Sequence, residues 1–152
     1  MRLFCIVAVV VLLDQLTKYL VASTMEVGQS FSLIEDFLAI TYVRNPGAAF
    51  GVLPYRTAFL IVVTLIVVGL IVYFYHVLPA SYTLLRLGMA LQLGGALGNL
   101  IDRVRNVFVV DFIDLKFFPP VFNLADLFIV IGVIIFLFAF WRISPSLENC
   151  PW

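Results

Sequence analysis

Two aspartates in the second half of the chain suggest the most specific chemistry. Asp111 follows two valines in a short apolar run, and Asp126 lies near the start of the last long apolar segment, with no Lys or Arg nearby in sequence. Two carboxyls that meet in a low-dielectric pocket cannot both ionise cheaply, so they share one proton and titrate as a coupled pair. Such a pair can act as an aspartic peptidase: one carboxylate takes a proton from an attacking water, and the protonated partner polarises the carbonyl.

Spacing alone leaves plainer interpretations of these residues open. Asp111 can be an interfacial side chain that faces water, and Asp126 can be a helix-start acid favoured by the helix macrodipole. Asn123 precedes Asp126 by three residues and could orient it or hydrogen-bond a substrate. If the last apolar segment is helical from Val121, Asp126 lies roughly 7 Å along that helix, just below the membrane surface.

A second polar group closes the third apolar segment. Asn99, Asp102 and Arg103 are spaced i, i+3 and i+4, which places them on one side of a helix. This spacing indicates a carboxylate–guanidinium pair with an amide partner, which could be purely structural. In the same segment Gly94 and Gly98 form a small-xxx-small face that lets another helix approach closely.

The first apolar segment carries its own charged pair. Asp14 and Lys18 are spaced i, i+4 and can pair on one helix face. Alternatively, Asp14 caps or braces a loop that it approaches. An ionisable group at bilayer depth costs about 2.5 to 3.5 kcal/mol on insertion scales, so each of these residues is a functional hypothesis.

The elements that must position these residues are apolar. The chain has 152 residues, of which 64% are hydrophobic and 12% charged, and its mean hydropathy is +1.15, far above that of a soluble domain. A membrane-spanning helix needs roughly 20 apolar residues, and four segments qualify, at about 3–21, 58–75, 82–101 and 121–141. The sequence predicts a mainly α membrane protein with four transmembrane helices, in one integral-membrane domain over residues 1–152.

The segment between the first two spans has mixed polarity and predicts a different structure. Residues 31–34 and 37–43 are typical of short strands, and an Asn45-Pro46-Gly47 turn signal follows them. We therefore expect a small β-rich flap on the membrane surface between the first and second spans. The link between the third and fourth spans is also mixed, so the two longer loops share one face of the membrane.

Charge and composition exclude several classes of function. Nine Lys and Arg balance nine Asp and Glu, so no basic field attracts nucleic acid. With one histidine and two cysteines at opposite ends, neither a metal site nor a disulfide framework is expected. The positive-inside rule, applied to the basic residues alone, places the two longer loops in the cytoplasm.

Taken together, the motifs resemble those of signal peptidase II, the bacterial prolipoprotein signal peptidase of aspartic peptidase family A8. The resemblance covers nearly the whole chain. It is carried, in chain order, by Asp14-Gln15-Leu16-Thr17-Lys18, Asn45-Pro46-Gly47-Ala48-Ala49-Phe50-Gly51, Gly98-Asn99-Leu100-Ile101-Asp102-Arg103, Val110-Asp111-Phe112 and Phe122-Asn123-Leu124-Ala125-Asp126.

The resemblance implies roles for individual residues. Asp111 and Asp126 would be the catalytic aspartates. The remaining implied roles are substrate binding by Asn45, Asn99, Arg103 and Asn123, and structural support by Asp14, Asp102 and Gly47.

The resemblance also implies a reaction and a location. An intramembrane aspartic endopeptidase would hydrolyse the bond before the lipidated cysteine of diacylglyceryl-modified prolipoproteins, with no metal or cofactor. The enzyme would be a monomer in contact with membrane lipid, in the bacterial cytoplasmic membrane. Its termini would be cytoplasmic and its active site near the extracytoplasmic face, which replaces the orientation from the basic residues.

Two other classes of function are compatible with the residues. A small proton- or cation-coupled carrier could use Asp14, Asp102, Asp111 and Asp126 as a relay or a cation site, but these acids would then be spread through the membrane. A non-catalytic assembly subunit could pack through the glycines of the third span, but that role leaves the polar motifs unexplained.

Overall fold

A computed structural model describes residues 2–47 and 56–148 of the chain. Residues 48–51 of the predicted Asn45 motif lie outside this part. The described residues form helices α1 (Arg2–Thr24), α2 (Thr57–Val77), α3 (Thr83–Asn106) and α4 (Leu124–Glu148), and strands β1 (Ser30–Ile34), β2 (Leu38–Asn45), β3 (Val109–Leu115) and β4 (Val121–Phe122). Each helix is long and apolar enough to span a membrane, which confirms the four predicted spans.

Helix α3 is the central helix and α2 is the peripheral one. Ten residues of α3 are buried, whereas in α2 the buried residues are Leu60 and Tyr75. A helix that is apolar around its whole circumference suits a lipid environment. We therefore assign α2 to the lipid-facing side and α3 to the centre of the bundle, in contact with the other three helices.

Glycines allow α3 to approach its neighbours closely. A Cβ atom on Gly94 would lie 2.6 Å from Cγ1 of Val10 in α1, and one on Gly88 would lie 2.7 Å from the carbonyl oxygen of Gly132 in α4. These distances leave no room for a side chain. The predicted close-packing role of the small residues in α3 is confirmed.

The flap is part of a larger sheet than the sequence indicates. The four strands are antiparallel in the order β1-β2-β3-β4, with Val43 opposite Asp111 and Asn45 opposite Val109. The two strands predicted between the first spans are confirmed. The link between α3 and α4, which the sequence indicates only as mixed in polarity, supplies β3 and β4.

The predicted start of the fourth span is also wrong. Val121 and Phe122 pair with β3, and the helix begins only at Leu124. Asp126 consequently lies in the first helical turn of α4, and not five residues into the helix. The physical reason is Asn123, which caps the helix and so fixes its start.

Two apolar clusters hold the helices and the sheet together. One lies within the helix bundle around Leu3, Met89 and Leu93. The other joins the end of α1 to the sheet, and it is formed by Val21, Tyr42, Val110 and Phe112. This second cluster fixes β3 against the bundle, next to the start of α4.

Candidate active site

Asp111 and Asp126, called the aspartate pair below, both line a cleft of about 930 Å³. Asp111 comes from β3 and Asp126 from the first turn of α4. The cleft has one polar end, formed by the aspartate pair and neighbouring amides, and one apolar region. Its other lining residues include Asn45, Asn99, Arg103, Phe118, Pro119, Pro120, Asn123, Ile129 and Val130.

The carboxylate of Asp111 is buried and accepts a hydrogen bond at each oxygen. Asn45 Nδ2 donates to Oδ2 at 2.8 Å, and Asn123 Nδ2 donates to Oδ1 at 2.6 Å. Burial is the main cause that raises the pKa of Asp111 to about 7; the hydrogen bonds from Asn45 and Asn123 oppose the rise, and the nearby charge of Asp126 adds to it. Asp111 is thus suited to carry a proton near neutral pH.

The carboxylate of Asp126 is fixed by a capping box at the start of α4. Asp126 donates its backbone N–H to Asn123 Oδ1 at 3.0 Å, and Asn123 donates its backbone N–H to Asp126 Oδ2 at 3.2 Å. Asn99 Nδ2 donates to the other oxygen of Asp126, Oδ1, at 2.8 Å. Because Asn123 contacts both aspartates, it sets how the two carboxyls face each other.

The turn after β2 holds Asn45 in place. Asn45 Oδ1 accepts the backbone N–H of Gly47 at 3.0 Å, so the amide nitrogen of Asn45 is left to face Asp111. Arg103 in turn donates from Nη2 to the carbonyl oxygen of Gly47 at 3.3 Å. The predicted supporting role of Gly47 stays a prediction, but its contacts link Asn45 to Arg103.

A buried cation, the ammonium of Lys18, lies near the aspartate pair. Lys18 Nζ is 2.9 Å from Asp14 Oδ2, 3.1 Å from Asp102 Oδ2 and 2.9 Å from Asn99 Oδ1. The predicted Asp14–Lys18 pair is confirmed. The predicted pair between Asp102 and Arg103 is wrong: across the described residues Asp102 pairs with Lys18, because α1 packs against that side of α3 and brings a lysine to it.

The two acids bound to Lys18 reach the elements that carry the aspartate pair. Asp14 Oδ1 accepts the backbone N–H of Ala125 at 2.9 Å, so Asp14 contacts the first turn of α4 and not a loop; its supporting role stays a prediction. Asp102 Oδ2 accepts the backbone N–H of Val110 at 3.1 Å. The four acids of the carrier hypothesis therefore form one connected group and are not spread through the bundle.

Sequence reasoning misses two sets of contacts in this region. It pairs Lys18 with Asp14 alone, although the lysine also contacts Asp102 and Asn99. Gln15 donates to Asp102 Oδ1 at 3.0 Å and to the carbonyl oxygen of Gly98 at 3.2 Å. The sequence does contain a signal for these contacts: a lysine and a glutamine lie inside an apolar span, and such residues need buried partners.

This arrangement can perform hydrolysis. Two carboxyls held by amides in one cleft, of which Asp111 is suited to carry a proton near neutral pH, can activate a water molecule and polarise a carbonyl. The apolar region of the same cleft can hold a substrate that stays in the membrane.

Comparison with known proteins places this geometry in a family. A sequence profile described as signal peptidase (SPase) II matches residues 6–142. The lipoprotein signal peptidase of Caldanaerobacter subterraneus subsp. tengcongensis is 54% identical over 130 residues, covering 86% of this chain and 89% of that protein. The lipoprotein signal peptidase of Moorella thermoacetica is 51% identical over 133 residues, covering 87% and 88%.

Solved structures agree with the profile. A bacterial membrane enzyme solved by the in meso method at 2.3 Å superposes with a TM-score of 0.88 at 38% identity, covering 99% of this chain and 94% of that one. A second, solved at 1.9 Å, gives 0.82 at 42% identity and covers 91% of each chain. Since the profile spans both motifs that hold the aspartate pair, the chain belongs to the signal peptidase II family.

Proposed function

We propose that Asp111 and Asp126 catalyse hydrolysis of the peptide bond before the lipidated cysteine of diacylglyceryl-modified prolipoproteins. Family membership makes the chain a bacterial multi-pass membrane peptidase that removes signal peptides from prolipoproteins. The observation that carries the residue assignment is the sharing of Asn123 by two carboxyls at the polar end of one cleft. The carrier and assembly-subunit hypotheses do not account for the family and are set aside.

The aspartate pair acts as one unit with one shared proton. The ionised carboxyl takes a proton from water as the water oxygen attacks the carbonyl carbon, and the protonated carboxyl donates to the carbonyl oxygen. A tetrahedral diol forms. Its collapse breaks the carbon–nitrogen bond: the protonated carboxyl gives its proton to the leaving amine nitrogen, and the ionised carboxyl takes a proton from one diol hydroxyl as the carbonyl re-forms, so the pair again holds one proton.

The polar residues around the pair divide into two roles. Asn99 and Asn123 donate to the carboxyls, so we assign them to orienting the aspartate pair. Asn45 donates to Asp111 from the flap and lines the cleft, so we assign it to substrate binding. Arg103 lines the cleft beside these amides and is proposed to contact the substrate.

The apolar surfaces support a lipid-linked substrate and a membrane-surface flap. Phe118, Ile129 and Val130 line the cleft and suit the acyl chains of a diacylglyceryl group. On the flap, Phe31 and Leu33 are more than half exposed, which suits contact with the bilayer surface. We further propose that residues 1–152 act as one monomeric domain, with cytoplasmic termini and the cleft near the extracytoplasmic face.

The experiment that tests this proposal compares lipidated and unlipidated substrate. The purified protein in lipid is given a prolipoprotein with a diacylglyceryl-modified cysteine, or the same chain with that cysteine replaced by serine. We expect cleavage only of the lipidated form, detected by a mobility shift on gels. Equal cleavage of both forms would show that the apolar region of the cleft does not select the lipid.

The shared proton predicts a falling rate on the alkaline side of neutrality. The pKa of Asp111 is raised to about 7, chiefly by burial. Raising the pH through this value removes the proton that the reaction needs, so kcat should decline above pH ~7. A pH profile of kcat in detergent checks this, and a rate that keeps rising well above pH ~8 would contradict it.

A further inference from the structure

Lys18 is a buried ammonium held by three polar side chains. The residue is 3% exposed, and its Nζ contacts carboxylates of Asp14 and Asp102 and the side-chain oxygen of Asn99. An ammonium has three N–H donors, and each of them has a partner here. Burial of the ammonium accounts for the number of these contacts, so the evidence for a further role is where the three partners lead.

Each of the three partners leads to one anchor of the aspartate pair. Asp14 accepts the N–H of Ala125, next to Asp126, and Asp102 accepts the N–H of Val110, next to Asp111. Asn99 donates directly to Asp126. Lys18 is therefore connected through one intermediate residue to α4, to β3 and to a catalytic carboxyl.

The contact with Asn99 also decides which way that amide points. An ammonium can only donate, so the side-chain oxygen of Asn99 must face Lys18. The amide nitrogen is then forced to face Asp126 and to donate to Oδ1. Without Lys18 the amide oxygen loses its donor, and among the described residues only the hydrogen bond to Asp126 is left to hold the amide in this position.

We propose that Lys18 is a positioning residue for the hydrolysis, which fixes the Asn99 amide toward Asp126 and sets the distance between the two catalytic carboxyls. The inference rests on the proposed function of the aspartate pair. Lys18 touches neither the substrate nor the reacting atoms, and it acts through Asn99, Asp14 and Asp102.

The charge of Lys18 also acts on the pair directly. The groups that face Asp111 are Asp126 from α4, Lys18 from α1 and Arg103 from α3. The positive charge of Lys18 lowers the pKa of Asp111, against the larger effect of burial. Removal of that charge should raise the pKa of Asp111 and move the alkaline limb of the pH profile to higher pH.

The test uses two variants of the full chain in lipid, Lys18→Met and Lys18→Arg, with Lys116→Met as the control. Methionine keeps most of the length but removes the charge. Arginine keeps the charge and the balance with the two acids, but its planar fork cannot donate to the same three acceptors. Lys116 is exposed beyond the end of β3, where it pairs with Asp114, so its variant should behave as the wild type.

A positioning role predicts a split between kcat and KM. We expect Lys18→Met to lower kcat by about 10²-fold, because misplacement of catalytic groups has effects of this size. KM should stay within about threefold of the wild-type value, and the alkaline limb of the pH profile should move to higher pH. Lys18→Arg should melt near the wild-type temperature, with kcat still at least about tenfold lower.

Three results would overturn the proposal. The first is a wild-type kcat and pH profile in Lys18→Arg, because charge balance alone would then suffice. The second is a folded Lys18→Met variant with wild-type kinetics, and the third is failure of both variants to fold, which would make Lys18 purely structural. If the wild type itself does not cleave, the proposed function fails instead, and that outcome is distinct from these three.

Discussion

Asp126→Asn is expected to lower kcat for prolipoprotein cleavage by at least about 10³-fold while the protein stays folded. An amide can neither take the proton of water nor return one to the leaving nitrogen, and loss of such a group typically removes about 10²- to 10⁴-fold in rate. The substituted amide still offers an oxygen to Asn99 or to the backbone N–H of Asn123, so the start of α4 should persist. Asp111→Asn should have an effect of similar size. Initial rates on lipidated substrate, beside circular dichroism of each variant, measure this.

Asp114→Asn is the matched control for these variants. Asp114 lies three residues after Asp111 on the same strand, but it accepts a hydrogen bond from the Thr41 hydroxyl at 2.7 Å and pairs with Lys116 at 2.6 Å. These hydrogen bonds hold the pKa of Asp114 below its usual value, so it carries no proton near neutral pH. This variant should keep most of the activity. Substantial cleavage by Asp126→Asn or Asp111→Asn would refute the assignment of the aspartate pair.

Gly95→Ala is expected to have the largest effect on stability. A Cβ at Gly95 would overlap the carbonyl oxygen of Ala125 and lie 2.8 Å from Cγ1 of Ile129. The carbonyl oxygen of Ala125 belongs to the backbone and cannot rotate away, so α3 and α4 must move apart. Overpacking of this kind costs about 1 to 3 kcal/mol. Because Ala125 adjoins Asp126, the same movement should lower kcat. Thermal unfolding in detergent, with rates measured below the transition, reports both effects.

Gly69→Ala separates this packing effect from the helix propensity of glycine. Gly69 lies in α2, and a Cβ there would meet nothing within 4 Å. Alanine is favoured over glycine inside a helix by about 0.5 to 1 kcal/mol, so this variant should be as stable as the wild type or more so. Equal melting temperatures for Gly95→Ala and Gly69→Ala would contradict the close approach of α3 and α4.

The spans and the two strands of the flap could be predicted because their signals are local. Hydropathy along α2 or α4 and the alternation before Asn45 need no knowledge of the rest of the chain. The pairing of Val121 and Phe122 with β3 could not be predicted in this way. Two residues are too few to carry a strand signal, and their apolar character merges with that of the following helix.

The partners of the buried charges were equally beyond local reasoning. Asp102 is close in sequence to Arg103, but its cation comes from α1. Which helix faces which depends on the close approach of α1 to Gly94 and Gly98, a property of the packed bundle. The i, i+4 pair of Asp14 and Lys18 was predictable because both residues share one helix.

Two of the arginines counted for the orientation have local partners in the structure. Arg44 packs over the rings of Tyr42 and Phe108, with its guanidinium carbon 5.8 and 4.9 Å from their centres. Arg103 donates to Gly47. These arginines therefore have structural roles in the flap and the cleft besides any effect on orientation. The proposed orientation stays a prediction.

Identification of the cleavage products tests the aspartic mechanism most directly. Wild type and Asp126→Asn are incubated with a diacylglyceryl-modified prolipoprotein, with a metal chelator present throughout, and the products are identified by mass spectrometry. An aspartic mechanism predicts that the wild type releases the signal peptide and leaves the lipidated cysteine as the new N-terminus, and that the folded variant gives neither product. Cleavage at this bond by Asp126→Asn, or loss of wild-type cleavage on chelation, would contradict it.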